Sequence, residues 1–232
     1  MLLINIPYRA KGLHLFRKKQ LSNLINNCKE YFKINKIEFK IIIIEQNGDY
    51  LFNRGKLLNI AFLESEKLFS NYDVTYMHIN CDYIFNLNCS FPKNLLYLDD
   101  NFYNLFTIEC MKNNSLGGCS LFTRNNFKLI NGFPNDMYGW GGEDRSIYYR
   151  CLYKNIKIIE TEYTKKYNDR NKNFIIDENN DSVTDVSKNE DNLIKSKLNN
   201  SHINGLTNCE YTIVDHGEFN DNTNVYHFIV NL

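Results

Sequence analysis

Apolar positions set the rhythm of the first 85 residues. Leu2 to Pro7 is a short apolar run, after which Leu13, Phe16, Leu21, Leu24, Ile25 and Tyr31 recur at the spacing that gives a helix one apolar face. Ile37 to Glu45 is an almost unbroken β-branched run, the composition of a strand covered on both faces of a parallel sheet. Lys56 to Phe69 returns to helical spacing, with Leu57, Leu58, Ala61, Phe62 and Leu68 expected on its buried side, and Val74 to Cys81 reads as a third strand. Strand, helix, strand, helix, strand implies right-handed crossovers and an α/β fold with a mostly parallel central sheet and flanking helices. Ligands of such sheets sit beyond the carboxyl ends of the strands, so Pro7-Tyr8-Arg9, Gln46-Asn47 and Asn80-Cys81-Asp82 are predicted to meet in one crevice.

After Asp100 the pattern loosens. Phe102 to Cys110 and Gly118 to Phe122 read as strands, Arg124 to Ile130 as a short helix and Ile156 to Glu160 as a further strand. Asn, Asp, Lys and Ser dominate Asn168 to Asn192, which predicts a polar, mobile loop there. Asn204-Gly205-Leu206 to Val230 returns to strand-like alternation, and no internal repeat is visible. A chain of 232 residues suits one domain, divided here into a ligand-binding half (1–100) and a second half (101–232).

Composition excludes more than it assigns. Hydrophobic residues at 43% and aromatics at 14% are enough for a sizeable core, while a formal net charge of +0 and a pI near 6.9 give no electrostatic footing for nucleic acid. Seven cysteines, an odd number without a C-x-x-C pair, read as reduced thiols and point to a cytoplasmic protein. Met1-Leu2-Leu3-Ile4-Asn5-Ile6-Pro7 is too short for a signal or membrane anchor, and the sequons at Asn88, Asn113, Asn180 and Asn199 are what an Asn-rich chain produces by chance.

The densest chemistry lies between Gly139 and Ser146, which hold the only Trp of the chain, paired glycines and paired carboxylates. Gly141 and Gly142 allow positive φ and close approach to a ligand, and Trp140 offers a flat apolar face suited to a sugar ring. Glu143 and Asp144 open an amphipathic stretch carrying Ile147, Tyr148, Cys151 and Leu152, a helix N-terminus that favours ionised carboxylates. An acidic N-cap after a glycine loop would look the same.

This segment does not stand alone. Asn131-Gly132-Phe133-Pro134-Asn135 followed by Met137-Tyr138-Gly139-Trp140-Gly141-Gly142-Glu143-Asp144 closely resembles the signature of the beta-1,4-galactosyltransferase family. Ile6-Pro7-Tyr8-Arg9 with His14-Leu15, Gln46-Asn47 leading into Phe52-Asn53-Arg54-Gly55-Lys56-Leu57-Leu58-Asn59, and Gly117-Gly118-Cys119-Ser120 fall in that family's order. The resemblance implies a GT-A-like glycosyltransferase catalytic domain with an acceptor-side C-terminal portion. It implies donor contacts at Pro7, Tyr8 and Arg9 (uracil and ribose), at Phe52 and Arg54 (uracil and diphosphate), and at Asp82, Gly117 and Gly118. Trp140, Gly141 and Gly142 match a closing lid, Asp144 the catalytic base, and Glu143 the residue that grips sugar hydroxyls.

The same resemblance implies a divalent cation, usually manganese, but this chain departs from the pattern. The family's Asp-Val-Asp is Asn80-Cys81-Asp82, and its Met-x-x-His matches Thr164-Lys165-Lys166-Tyr167, leaving Asp82 as the one matching ligand. Lys165 or Lys166 could neutralise a leaving diphosphate instead, and the distant His202 could complete a site. Ser115 stands where galactose-specific members carry Tyr, which leaves room for the C2 substituent of an N-acetylhexosamine. The expectation is an inverting transferase using a UDP-sugar donor and a glycan acceptor, with no nucleic-acid partner; the alternative is an inactive relative that binds nucleotide-sugar or glycan. Hydrolysis by the adjacent pair Glu143 and Asp144 is disfavoured, since neighbouring residues do not flank one glycosidic bond from two faces.

Overall fold

The structure, a computed structural model, describes residues 1–9, 16–97, 102–104, 114–139, 141–160, 174–176, 189–190, 192–193, 202–218 and 224–232. The elements are β1 (Leu2–Tyr8), α1 (Arg17–Ile34), β2 (Phe39–Gln46), α2 (Arg54–Phe69), β3 (Thr75–Ile79), β4 (Tyr83–Phe85), β5 (Phe102–Asn104) and β6 (Cys119–Thr123). They continue with α3 (Arg124–Leu129), α4 (Glu143–Tyr153), β7 (Ile158–Glu160), β8 (Phe174–Ile176), β9 (Thr212–Glu218) and β10 (Val225–Asn231).

The described strands form an eight-stranded sheet in the order β7-β5-β6-β3-β1-β2-β10-β9, with β4 and β8 paired separately. The predicted β1-α1-β2-α2-β3 unit is its parallel centre, with β1 flanked by β2 and β3 and with β10 added parallel to β2. β6 runs antiparallel to β3 and β5, and β9 antiparallel to β10, so the sheet is mixed.

Alternation along the strands explains the unbroken β-branched run of β2. Ile41 and Ile43 pack with Ile4, Ile6, Leu24, Cys28 and Phe32 on the α1 side, while Ile42 and Ile44 pack with Leu3, Leu57, Ala61 and Phe228 on the other. With both faces covered, Ile41 to Ile44 are apolar at every position.

Several elements differ from expectation. Leu68 and Leu152 are 43% and 46% exposed, because Ser65 and Phe69 in α2 and Ile147 and Cys151 in α4 take the buried positions. Asn204-Gly205-Leu206 leads into a 3-10 turn, Leu206–Asn208, and not into a strand. Within the polar stretch expected as a loop, Phe174–Ile176 forms β8 and Asn189 and Asn192 are buried, so parts of it pack on the domain. Leu13, His14, Leu15 and most of Phe102 to Cys110 lie outside the described residues. No helix of the described residues is long and apolar enough to cross a membrane.

Candidate active site

The site is assembled by asparagines. Asn53 caps α2, its Oδ1 accepting from the Lys56 amide at 2.9 Å, while its own amide donates to Gln46 Oε1 at 2.9 Å and its Nδ2 to the Asn135 carbonyl at 2.7 Å. One helical stretch later, Asn59 Oδ1 accepts from the Phe133 amide at 2.8 Å and its Nδ2 donates to the Phe133 carbonyl at 2.7 Å. Gly132 has φ +61°, and a Cβ there would lie 2.3 Å from Asn59 Oδ1, so both its conformation and its surroundings require glycine. The two motif blocks around α2 and Asn131-Gly132-Phe133-Pro134-Asn135 are thus one hydrogen-bonded unit. Arg150, 2% exposed, holds the same turn from α4 by donating to the carbonyls of Gly132 and Asn204, each at 2.6 Å. Burial, opposed by Asp136, pushes its guanidinium down to about 10.

This unit presents Arg54, the first residue of α2. Its Nε donates to Asn80 Oδ1 at 2.7 Å and its Nη1 to Asp144 Oδ1 at 2.7 Å, with Glu143 Oε1 at 3.6 Å. The guanidinium also lies over the Phe133 ring, 5.9 Å from its centroid. Burial alone would lower the Arg54 pKa; the charges of Asp144 and Glu143 outweigh it and hold the guanidinium above its ordinary value. Beneath Phe133, His78 is fully buried among Phe122 and Phe127, and its ring nitrogens have no hydrogen-bond partner among the described residues. Burial and then the Arg54 charge keep it well below the usual histidine range, so it is neutral.

Asp144 is fixed from a third direction. The Leu116 amide donates to its backbone carbonyl at 3.0 Å, and a Cβ on Gly117 would stand 2.3 Å from Asp144 Oδ2. Gly117 is therefore in contact with the carboxylate expected to act as base. Glu143 departs from expectation. Burial, and then repulsion from Asp144, push its carboxyl up to about 7 against the pull of Arg54, overriding the helix N-terminus that was expected to keep it ionised.

The other predicted residues fall around this centre. Tyr8 ends β1 and is buried, its hydroxyl pushed up by burial and by Glu45; Pro7 precedes it in the same strand. Arg9 donates to the Tyr50 carbonyl and lies over the Phe52 ring at 5.7 Å, and the Gly139 amide donates to the Phe52 carbonyl at 2.8 Å, tying the lid block to the start of α2. Gly118 has φ +77° and follows Gly117 into β6, while Ser115 lies two residues before Gly117. Gly141 (φ +90°) has open space at its Cβ direction, whereas a Cβ on Gly142 (φ +94°) would stand 3.2 Å from Asn189 Cβ. Trp140, Thr164, Lys165, Lys166 and Tyr167 lie outside the described residues.

Asp82 is the remaining candidate metal ligand. Its Oδ1 is buried without a hydrogen-bond partner among the described residues, and burial raises its pKa against the pull of Arg17. Arg17 Nη1 sits 3.6 Å from Asp82 Oδ2, a neighbour that no local pattern predicts. Asn80 Oδ1 is already engaged by Arg54, His202 is exposed, and no group of three His, Cys, Asp or Glu among the described residues could hold an ion. Among the described residues this donor set does not by itself complete a metal site. It offers one hard carboxylate to an ion whose other ligands come from elsewhere.

Sheet order, crevice and motif placement together define a GT-A glycosyltransferase fold. The catalytic domain of Drosophila beta-1,4-galactosyltransferase 7, crystallised with xylobiose, covers 100% of this chain with a TM-score of 0.78 at 21% identity, the chain covering 93% of that domain. A mutant of that domain in complex with manganese, UDP-Gal and xylobiose has a TM-score of 0.75 at 20% identity over the same coverage. Residues 2–88 match the N-terminal region of glycosyl transferase group 7, and residues 101–172 the N-terminal domain of galactosyltransferase. Human beta-1,4-galactosyltransferase 1 is 34% identical over 163 residues, which are 66% of this chain and 39% of the human protein. The chain belongs to the beta-1,4-galactosyltransferase family, and it spans about two fifths of the length of the human, mouse and bovine beta-1,4-galactosyltransferase 1 that it matches.

Proposed function

We propose that this chain is an inverting glycosyltransferase that moves galactose or N-acetylgalactosamine from a UDP-sugar to a hydroxyl of a glycan acceptor. The observation that carries this reading is the Arg54 bridge, which ties Asn80 and the adjacent pair Glu143 and Asp144 to the start of α2, joining three separate family motifs at the carboxyl edge of β3 and the N-terminal ends of α2 and α4. Asp144 takes the proton of the acceptor hydroxyl as its oxygen bonds to the anomeric carbon, and the bond from that carbon to UDP breaks on the opposite face. Glu143, titrating near neutrality, donates or accepts a hydrogen bond at a sugar hydroxyl. Ser115, where a Tyr would close the C2 side of the sugar, is what admits N-acetylgalactosamine. A divalent cation accompanying the donor diphosphate would be held on the protein side by Asp82 and would supply charge neutralisation of the leaving group.

Relatives are named for both galactose and N-acetylglucosamine transfer: the 30% identical Lymnaea stagnalis protein is a beta-1,4-N-acetylglucosaminyl-transferase. The donor sugar is therefore settled by experiment. Turnover of UDP-galactose and UDP-N-acetylgalactosamine, with and without manganese, is measured against a panel of terminal sugars. Asp144→Asn is expected to bind UDP normally and to lose at least ~10² in turnover. A second reading, an inactive nucleotide-sugar-binding relative, is favoured by Asn80 in place of an Asp and by the engagement of Asp144 with Arg54. UDP binding with neither transfer nor donor hydrolysis for any UDP-sugar would establish it.

A further inference from the structure

We propose that Arg150 is a positioning residue for sugar transfer: without touching the reacting atoms, it sets through α4 where Asp144 stands against Arg54. This rests on the reading of Asp144 as the base. Arg150 is 2% exposed, and among the described residues its guanidinium donates to backbone carbonyls. Nη1 reaches those of Gly132 at 2.6 Å and Asn131 at 3.2 Å, and Nη2 that of Asn204 at 2.6 Å. Taking a guanidinium out of water costs free energy that carbonyls offset only in part, so an apolar side chain of similar volume would serve packing as well or better. What an apolar side chain could not do is join α4, the 130–132 turn and Asn204 at fixed distances and angles, because apolar contact has no direction.

The turn that Arg150 grips is the one that α2 holds from the other side. Asn59 bonds the amide and the carbonyl of Phe133 at 2.8 and 2.7 Å, and the Phe133 ring lies against the Arg54 guanidinium. A Cβ added at Gly55, the residue after Arg54, would stand 3.0 Å from Phe133 Cβ and 3.5 Å from Glu143 Cβ, so α2, the turn and α4 close together there. Within α4, Glu143, Ile147 and Arg150 follow the i, i+4, i+7 spacing of one face, and all three are buried. One turn of chain is therefore the common gauge: α2 places Arg54 on it through Asn59, and α4 places Glu143 and Asp144 on it through Arg150. Near Asp144 the Leu116 amide holds a single backbone oxygen, about which the helix can still rotate. A rotation of about 10° around the helix axis carries a side-chain atom at a radius of about 5–6 Å by roughly 1 Å, a misplacement that matters for a reacting group. Arg150 is the second fixed point that stops this rotation.

Transfer kinetics and UDP calorimetry on wild type, Arg150→Lys, Asp144→Asn and the double variant test this, at a temperature where thermal melts show each protein folded. Lys keeps the charge but lacks the planar fork that bridges two segments. Arg150→Lys is expected to lower kcat about tenfold, with donor KM and UDP affinity within about twofold of wild type, because α2 keeps its own bonds to the turn. In the Asp144→Asn background the same change is expected to alter turnover less than about twofold, since both act through one carboxylate. A role confined to stability would lower the melting temperature and leave kcat of the folded protein at the wild-type value, and that result overturns the proposal. An equal fold-loss in both backgrounds overturns it too. If Arg150→Lys does not fold, Arg150→Gln goes through the same comparison; failure of both to fold assigns Arg150 to stability alone and likewise overturns the proposal. All three results leave the UDP-sugar reading standing. Full turnover in Asp144→Asn would instead remove the base assignment, and wild type that transfers from no donor would remove the functional reading, each taking this proposal with it.

Discussion

Gly117→Ala isolates the contact that sets the position of Asp144. The added Cβ would stand 2.3 Å from Asp144 Oδ2 and 3.0 Å from its Cγ, while Gly117 has no positive φ, so backbone strain does not enter. Restoring an ordinary contact of about 3.4 Å requires the carboxylate to retreat by roughly 1 Å. That distance exceeds the slack of the 2.7 Å bond from Arg54. Stability should fall by only about 1 kcal/mol, the low end for overpacking, because the Asp144 side chain is 27% exposed and can move outward. Turnover should fall far more, by about 10², the usual cost of misplacing a reacting group by 1 Å. The assay is kcat and KM for sugar transfer alongside UDP calorimetry: kcat falls and UDP affinity holds. In an Asp144→Asn background the same substitution should cost little further turnover, since both changes act through one carboxylate. Wild-type kcat in Gly117→Ala, or full additivity in the double variant, would refute the reasoning.

UDP should bind more tightly than GDP, ADP or CMP, because Pro7, Tyr8, Arg9 and Phe52 match uridine contacts and Arg9 and Phe52 stack in the structure; calorimetry with the four nucleotides decides, and a tighter purine diphosphate would overturn it. Glu143 links stability to pH. Its folded pKa of about 7 lies above the unfolded value of 4.5, so the folded state binds the proton more tightly and the stability this contributes below pH 4.5 is lost as pH rises to 7. Glu143→Gln keeps the neutral form throughout and should gain stability over wild type across that window, by roughly 2–3 kcal/mol at most. A stability difference between the two proteins that does not change between pH 4.5 and 7 would contradict the shift.

Much of the frame was legible because burial on both faces leaves no freedom of composition. The runs of β1, β2 and β3 are mainly apolar, with Asn5 and His78 as buried exceptions, and α1 and α2 carry an apolar side facing the sheet, so period and composition point to one arrangement. What escaped notice is polar and distant in sequence. Arg54 meets Asn80 and Asp144 across 26 and 90 positions, and nothing local in Phe52-Asn53-Arg54 announces those partners. Asn53 and Asn59 looked like ordinary residues of an Asn-rich chain, yet they join two motif blocks, and only the motif order hinted that they meet. The polar composition of Asn168 to Asn192 hid β8 and the contact of Asn189 with Gly142, because short strands and single buried asparagines carry no periodic signal. Arg17 gave no sign at all: one more basic residue in Arg17-Lys18-Lys19, it is distinguished only by the turn that folds against it.

Charge balance connects these placements to the chemistry. Around the crevice stand Glu143, Asp144 and Asp82 against Arg54 and Arg17. With Glu143 titrating near 7, part of its population is neutral at physiological pH, which eases the crowding of carboxylates around Arg54. Arg54, bound at 2.7 Å on two sides, is costly to move, and moving it would leave Asp144 without its fixed bond at the moment it has to accept a proton. The loss of the family's first carboxylate at Asn80 fits this arrangement: a second Asp there would pair with Arg54, compete with Asp144 for it, and tip the empty site toward negative charge.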